Sequence, residues 1–105
     1  AFTVLRLVQK LIGTETKANA QLAVKLLHKA QNSEGGTPSI FKFQAMAYGQ
    51  LGDVPRAELA TAEAALLTGD RKLAVTKAKS AQGRFKTGTP EWIRANDILT
   101  FAGRK

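Results

Sequence analysis

Apolar residues recur along the chain at helical spacing, in stretches separated by short turns rich in glycine, proline, threonine and aspartate. In the second stretch, for example, Ala23, Leu26, Leu27 and Ala30 share one face of a helix. No stretch shows the apolar and polar alternation of a half-buried strand. The pattern predicts one domain over residues 1–105 with six helices, at about 2–12, 17–31, 38–51, 54–67, 71–86 and 90–101.

Residues that start and stop helices lie between these stretches. Side-chain oxygens accept hydrogen bonds from the first free backbone N–H groups of a helix, so we predict N-caps at Thr16, Thr37, Asp53, Asp70 and Thr89. Proline follows the cap at Pro38 and Pro90, in the first helical position. Glycines close the helices because they adopt the left-handed conformation that ends one. The segment 32–36 is predicted to be a loop from its Asn, Ser and Gly content.

The sequence also repeats itself at an interval of 17 residues. The matched pairs are Gly52 and Gly69, Asp53 and Asp70, Ala57 and Ala74, and Ala64 and Ala81. The dipeptide Thr37-Pro38 has a further counterpart in Thr89-Pro90. This interval is one helix plus one turn, half of the 34-residue period of tetratricopeptide (TPR) repeats.

With Pro38 as the first position of a repeat, the chain resembles TPR proteins over nearly its whole length. The consensus-like positions are Phe41, Ala45 and Tyr48, the turn residues Gly52 and Asp53, Ala57 and Ala64 in the second helix, and Gly69 and Asp70 at the next turn. The chain departs from the TPR pattern at Gly35, where proline is usual, and at Thr61, where a bulkier residue is usual.

The fourth helix is apolar in nearly every direction, as expected of a helix buried among neighbours. We therefore expect it to be shared by two successive repeats. Trp92, Ile93, Ile98 and Leu99 are expected to pack as a capping helix that closes the stack. The predicted fold class is all-α: TPR-like antiparallel helical hairpins in a short right-handed solenoid of about two to two and a half units, with a C-terminal capping helix.

Composition narrows the class of protein. Hydrophobic residues make up 44% of the chain and charged residues 23%, as in folded globular domains, so the chain as a whole is not expected to be disordered. No run reaches the roughly 18 apolar residues of a transmembrane helix. The absence of cysteine excludes disulfides and thiolate metal sites. The sequence does not begin with Met, and we expect it to be a piece of a longer protein.

The net charge of +8 favours acidic partners, whether nucleic acid, anionic lipid or an acidic protein surface. Residues 71–86 contain no acid, and on a helix Lys72, Lys79 and Lys86 would align as a patch for an anionic partner. No exposed aromatic residue is expected between these lysines to stack bases. A solvated face is therefore the simpler interpretation, and nucleic acid is the less favoured partner.

Residues for catalysis are scarce. The one histidine, His28, lies on the polar face of the second helix, without the cluster of ligands that a metal needs. No HExxH motif or phosphate-binding glycine loop is present. We predict no catalytic residue, no metal ligand and no cofactor in this segment.

TPR arrays bind peptides on a concave surface formed by the first helix of each repeat. The corresponding candidates for partner binding here are Arg6, Lys10, Lys42, Met46 and Gln50. The TPR subclass that clamps a terminal carboxylate has Asn one turn beyond its Lys, and Met46 occupies that position. Recognition of a chaperone's acidic C-terminus is therefore not expected.

A closer resemblance involves two stretches, AYGQLGDVPRAELATAEAALLTGD from Ala47 and GTPEWIRANDIL up to Leu99. They resemble the C-terminal TPR region of bacterial zinc metallopeptidases of the BepA type, which carry an HExxH peptidase domain before the repeats. The resemblance implies a periplasmic module for envelope quality control, with zinc only in the parent's peptidase domain.

The function predicted from this resemblance is a non-catalytic interaction module that docks substrates or envelope-assembly partners. Its partner would be a protein or peptide, an acidic one included, or the parent's own peptidase domain. Two alternatives stay open: an independent TPR adaptor, and a basic helical domain that binds nucleic acid.

Overall fold

A computed structural model describes the chain from Phe2 to Gly103, with side chains from Val4 onward. The described residues form helices and turns and contain no strand, which confirms the all-α prediction. The helices are α1 (Phe2–Gly13), α2 (Lys17–Glu34), α3 (Pro38–Gln50), α4 (Val54–Thr68), α5 (Arg71–Gln82) and α6 (Pro90–Ala102). None of these helices has the length and apolar character needed to cross a membrane.

The helices begin where the capping residues predict. In each case the cap's side-chain oxygen accepts a hydrogen bond from the backbone N–H three residues later, and the caps are Thr16, Thr37, Asp53, Asp70 and Thr89. Between α3 and α4, and between α4 and α5, the chain reverses at a glycine with positive φ, 75° at Gly52 and 84° at Gly69. These tight turns make neighbouring helices antiparallel, so α3 and α5 run parallel to each other.

Two helix ends differ from the expected ones. α2 continues to Glu34, where the Gly35 N–H donates to the Gln31 carbonyl at 2.8 Å and closes the last turn, and the helix ends at Gly35, whose φ is 85°. α5 ends at Gln82, four residues before the expected end, since the chain turns at Gly83. Lys86 therefore lies in the loop between α5 and α6 and does not continue a helical row with Lys72 and Lys79.

Helices α1, α3 and α5, called the odd layer below, alternate along the chain with α2, α4 and α6, called the even layer. Each helix packs against the next one in the chain. Within the layers, α1 packs beside α3, and α4 packs beside α6. Among the described residues, no Cα atom of α3 lies within 8 Å of one in α5, and the same holds for α2 and α4, although a strictly regular two-helix repeat would bring both pairs together.

The buried apolar side chains form two separate clusters, one in each half of the chain. The first joins α1, α2 and α3 and consists of Val8, Ala23, Leu27, Ala30, Ile40 and Ala47. The second joins α4, α5 and α6 and consists of Ala62, Ala65, Ala74, Ala78, Ile98 and Ala102. These two three-helix groups meet through α3 and α4, whose contact is as extensive as any other between two helices of the described chain.

Candidate docking groove

The gap between α3 and α5 leaves an open groove whose floor is α4. It has a volume of about 420 Å³, within the range of roughly 300–1,000 Å³ that is typical of ligand-binding clefts. We call it the α3–α5 groove, and its lining residues are Lys42, Ala45, Met46, Thr61, Ala64, Ala65, Thr68 and Leu73.

The floor and walls of the α3–α5 groove are apolar. The hydroxyl of Thr61 donates to the Ala57 carbonyl at 2.9 Å, and that of Thr68 donates to the Ala64 carbonyl at 3.1 Å. Both hydroxyls are therefore engaged by their own helix. On the walls, Met46 is 55% exposed and Leu73 is 38% exposed. The groove thus presents apolar side chains that nothing in the described chain covers.

Charge is divided between the layers. Helices α1, α3 and α5 contain no Asp or Glu, and their cations are Arg6, Lys10, Lys42, Arg71, Lys72, Lys77 and Lys79. Every carboxylate that lies within a helix is in the even layer: Glu34, Glu58, Glu63, Glu91 and Asp97. All charged residues of the two helices that form the walls of the groove are therefore basic.

Arginines neutralise the carboxylates of α4 and the start of α6. Arg94 bonds both carboxylate oxygens of Glu63, with Nε at 2.8 Å, and this contact ties α6 to α4. Arg56 bonds Glu91 at 2.8 Å and Asp53 at 2.9 Å. By contrast, Lys42 and Lys72 form no ion pair with any described residue. The positive charge beside the groove is left without an internal counter-charge.

A second, polar cleft lies on the opposite layer, over α3 and between α2 and α4. Its volume is about 290 Å³. The ring of His28 is 2.8 Å from the Tyr48 hydroxyl, and the buried Gln44 amide donates to Gln31 at 2.9 Å. Burial raises the pKa of Tyr48 above 10.0; Arg56 opposes this shift, while Asp53 and Glu91 add to it.

The five residues predicted to form a concave binding surface separate in the structure. Lys42 and Met46 line the α3–α5 groove. Gln50 is half-buried, and its Nε2 donates to the Ile12 carbonyl at 2.8 Å, so it fastens α3 to α1. Arg6 and Lys10 are exposed on α1, outside the lining of the groove.

The predicted anionic-partner patch is also divided. Lys72 and Lys79 are exposed on α5, and Lys72 precedes the groove residue Leu73. Lys86 is exposed in the loop that follows. The two helical lysines keep their predicted spacing of two turns, but the three-residue row does not form.

The positions assigned to the TPR pattern have mainly structural contacts. Phe41 and Ala64 are buried, Ala57 and Trp92 are half-buried, and Ala45 lines the α3–α5 groove. Trp92 belongs to the first turn of α6, where its backbone N–H donates to Thr89. Of these positions, Tyr48 has a side-chain partner outside its own helix, His28.

Sequence reasoning missed Leu73, Thr61 and Thr68 as groove residues. The floor residues Thr61, Ala64, Ala65 and Thr68 recur at helical spacing, which is a detectable signal for one face of α4. No local pattern shows that α3 and α5 leave this face open.

No group of three or more His, Asp or Glu side chains in the described part of the chain is arranged to hold a metal ion. Comparison of the chain with protein-family models, with curated proteins and with solved structures finds no match.

Proposed function

We propose that this domain is a protein-interaction module that docks an acidic partner on its odd layer. The observation that carries the proposal is the division of charge: α1, α3 and α5 have no acid, and two of them border an open apolar groove. An apolar surface with a basic rim suits a partner whose apolar contact residues are surrounded by carboxylates.

Electrostatics would act before contact. A surface of one sign accelerates encounter with a partner of the opposite sign, and dissolved salt screens this attraction over about 8–10 Å. Because the carboxylates of α4 and early α6 are paired with arginines, the field of the odd-layer lysines is not cancelled locally. The association rate should therefore fall as salt concentration rises, while the apolar contacts retain the bound partner.

We further propose that the module has a TPR-like architecture and belongs to a BepA-type zinc metallopeptidase of the periplasm. The support is the 17-residue repeat and the resemblance of the stretches from Ala47 and up to Leu99. In this setting the module is non-catalytic, and zinc is held by the parent's peptidase domain. The coding sequence on the N-terminal side of Ala1 tests this part: it should encode an HExxH segment, and a parent without one overturns the assignment.

The docking proposal is tested by reversing the charge of two lysines on one layer and, as a control, of two lysines on the other. A fluorescent peptide of leucine, alanine and glutamate serves as the probe, and fluorescence anisotropy measures its binding at several salt concentrations. We expect the double variant Lys42→Glu with Lys72→Glu to bind at least about tenfold more weakly, a change of about 1.4 kcal/mol. The matched control is Lys25→Glu with Lys29→Glu, two exposed lysines of α2, which makes the same change in net charge on the even layer.

Equal losses in the two double variants would mean that only the net charge matters, and would contradict docking on the odd layer. A duplex DNA probe tests the nucleic-acid alternative under the same salt conditions. If DNA binds more tightly than the acidic peptide and depends on the same odd-layer lysines, the module is a nucleic-acid binder and the proposal is wrong.

A further inference from the structure

We propose that the α3–α5 groove binds one amphipathic α-helix of the acidic partner, with the apolar face of that helix on Thr61, Ala65 and Thr68. This inference rests on the proposed function and specifies the conformation of the bound partner and the site where it binds. Its starting point is the open gap between two parallel helices that both pack on α4.

The chemistry of the lining decides between a helical and an extended partner. An extended peptide would bring unpaired backbone N–H and C=O groups into the groove, and each such group needs a hydrogen-bond partner. The walls and floor are helices whose own backbone groups are paired internally, and the two threonine hydroxyls donate to Ala57 and Ala64. A helix satisfies its own backbone and presents only side chains, so it fits this groove without that cost.

The shape of the groove agrees with this choice. Small side chains at Thr61, Ala64, Ala65 and Thr68 form the floor, while Met46 and Leu73 rise on the two walls. Packed helices approach to 8–10 Å between axes when the side chains at the contact are small. A guest helix on this floor would cover both exposed wall residues, which are otherwise in water.

Charge places the acidic residues of the guest helix. Lys42 lines one wall, and Lys72 stands beside Leu73 on the other, at the end of the groove where α5 begins. The amino-terminal end of α3 lies at this same end with a neutral cap, Thr37, so its positive helix dipole adds to the lysine charge, whereas the Asp70 carboxylate offsets the dipole of α5. Carboxylates of the guest should therefore cluster at the end of the groove near Lys42 and Lys72.

The test compares two probe peptides that differ in their ability to form a helix. The first is made of leucine, alanine and glutamate with leucines at helical spacing, and a side-chain staple holds it helical. The second has its central alanines replaced by proline, which prevents a helix. Anisotropy titrations with the full chain should give a dissociation constant at least about tenfold lower for the stapled peptide.

Two variants test whether the stapled peptide binds in the α3–α5 groove. Met46→Glu and Leu73→Glu place a carboxylate on each wall, at side chains exposed enough that folding should be kept, which circular dichroism checks. We expect each to weaken binding of the stapled peptide by about tenfold or more. The matched controls are Phe101→Glu and Ile93→Glu on α6, whose side chains are 57% and 48% exposed and lie outside the groove. These two variants should bind the stapled peptide as tightly as the unsubstituted chain does.

Each result has a distinct meaning. If both peptides bind equally and the Lys42 and Lys72 variants still lose affinity, the partner docks on the odd layer, but the proposal that it binds as a helix is wrong. If the Met46 and Leu73 variants bind as well as the α6 controls, the α3–α5 groove is not the binding site. If the lysine variants have no effect on either peptide, the proposed function itself fails.

Discussion

Tyr48 shows how one side chain is set by its surroundings in this fold. Its hydroxyl lies 2.8 Å from the ring of His28, which is 20 residues earlier in the sequence, and it borders the polar cleft beside Arg56 and Glu91. The sequence predicted Tyr48 as a structural position of the repeat. It gave no indication of the bond to His28, because the contact depends on how α2 packs against α3.

The pKa of Tyr48 gives a test at this scale. Burial raises this pKa above 10.0, so the neutral phenol is favoured in the folded state. Its contribution to the free energy of unfolding is fully present below about pH 10 and is lost as pH rises through the folded pKa. The chain has one tyrosine, so the ultraviolet absorbance of tyrosinate follows this residue alone. We expect a titration midpoint above that of free tyrosine; a midpoint at or below it would contradict the described burial.

Gln50 and Lys86 mark the limit of residue-scale prediction. Gln50 is predicted to lie on the concave surface formed by the first helix of each repeat, yet it reaches the Ile12 carbonyl 38 residues away. Lys86 was expected to extend a helical row, but the turn at Gly83 removes it from the helix. Both differences arise from contacts and turns that are not encoded by side-chain spacing.

At the scale of helices, the N-cap residues were the part of the sequence that best predicted where helices begin. All five predicted N-caps bond the expected backbone N–H, because this interaction involves residues only three apart. The ends of α2 and α5 were less predictable. The last turn of α2 is closed by a backbone bond from Gly35 to Gln31, and Gly83 ends α5 with φ of −65°, outside the left-handed region.

Two glycines with opposite backbone requirements give a matched pair of substitutions. Gly69 closes α4 with φ of 84°, where a Cβ adds strain, so Gly69→Ala should lower the free energy of unfolding by about 1–2 kcal/mol. Gly49 lies within helix α3 with open space around it, so Gly49→Ala should raise the same quantity by about 0.5–1 kcal/mol. Urea denaturation followed by circular dichroism measures both. Changes of the same sign would contradict the backbone conformations described for the two glycines.

At the scale of the whole molecule, the two apolar clusters define two structural groups. Their side chains are dominated by alanine, with Leu27 and Ile98 among the largest fully buried ones. The sequence predicted that the fourth helix would be buried among its neighbours. It could not predict which non-adjacent helices would touch, since a stripe of alanines is compatible with several neighbours.

Substitutions in the two clusters test whether the groups open separately. Leu27→Ala and Ile98→Ala each remove a fully buried branched side chain, and each should cost about 2–5 kcal/mol in the free energy of unfolding. Native-state hydrogen exchange should show that Leu27→Ala mainly weakens protection in α1 and α2, and that Ile98→Ala mainly weakens it in α5 and α6. Uniform loss of protection in both variants would show that the six helices open as one cooperative unit.

Within the described chain, the backbones of the two three-helix groups meet through α3 and α4. The groove lies on one side of this contact and the polar cleft on the other. If a ligand widened the groove by rotating the two groups about this contact, the same rotation would bring α2 closer to α4. We expect such a ligand to change the spacing of His28 and Glu63 across the polar cleft.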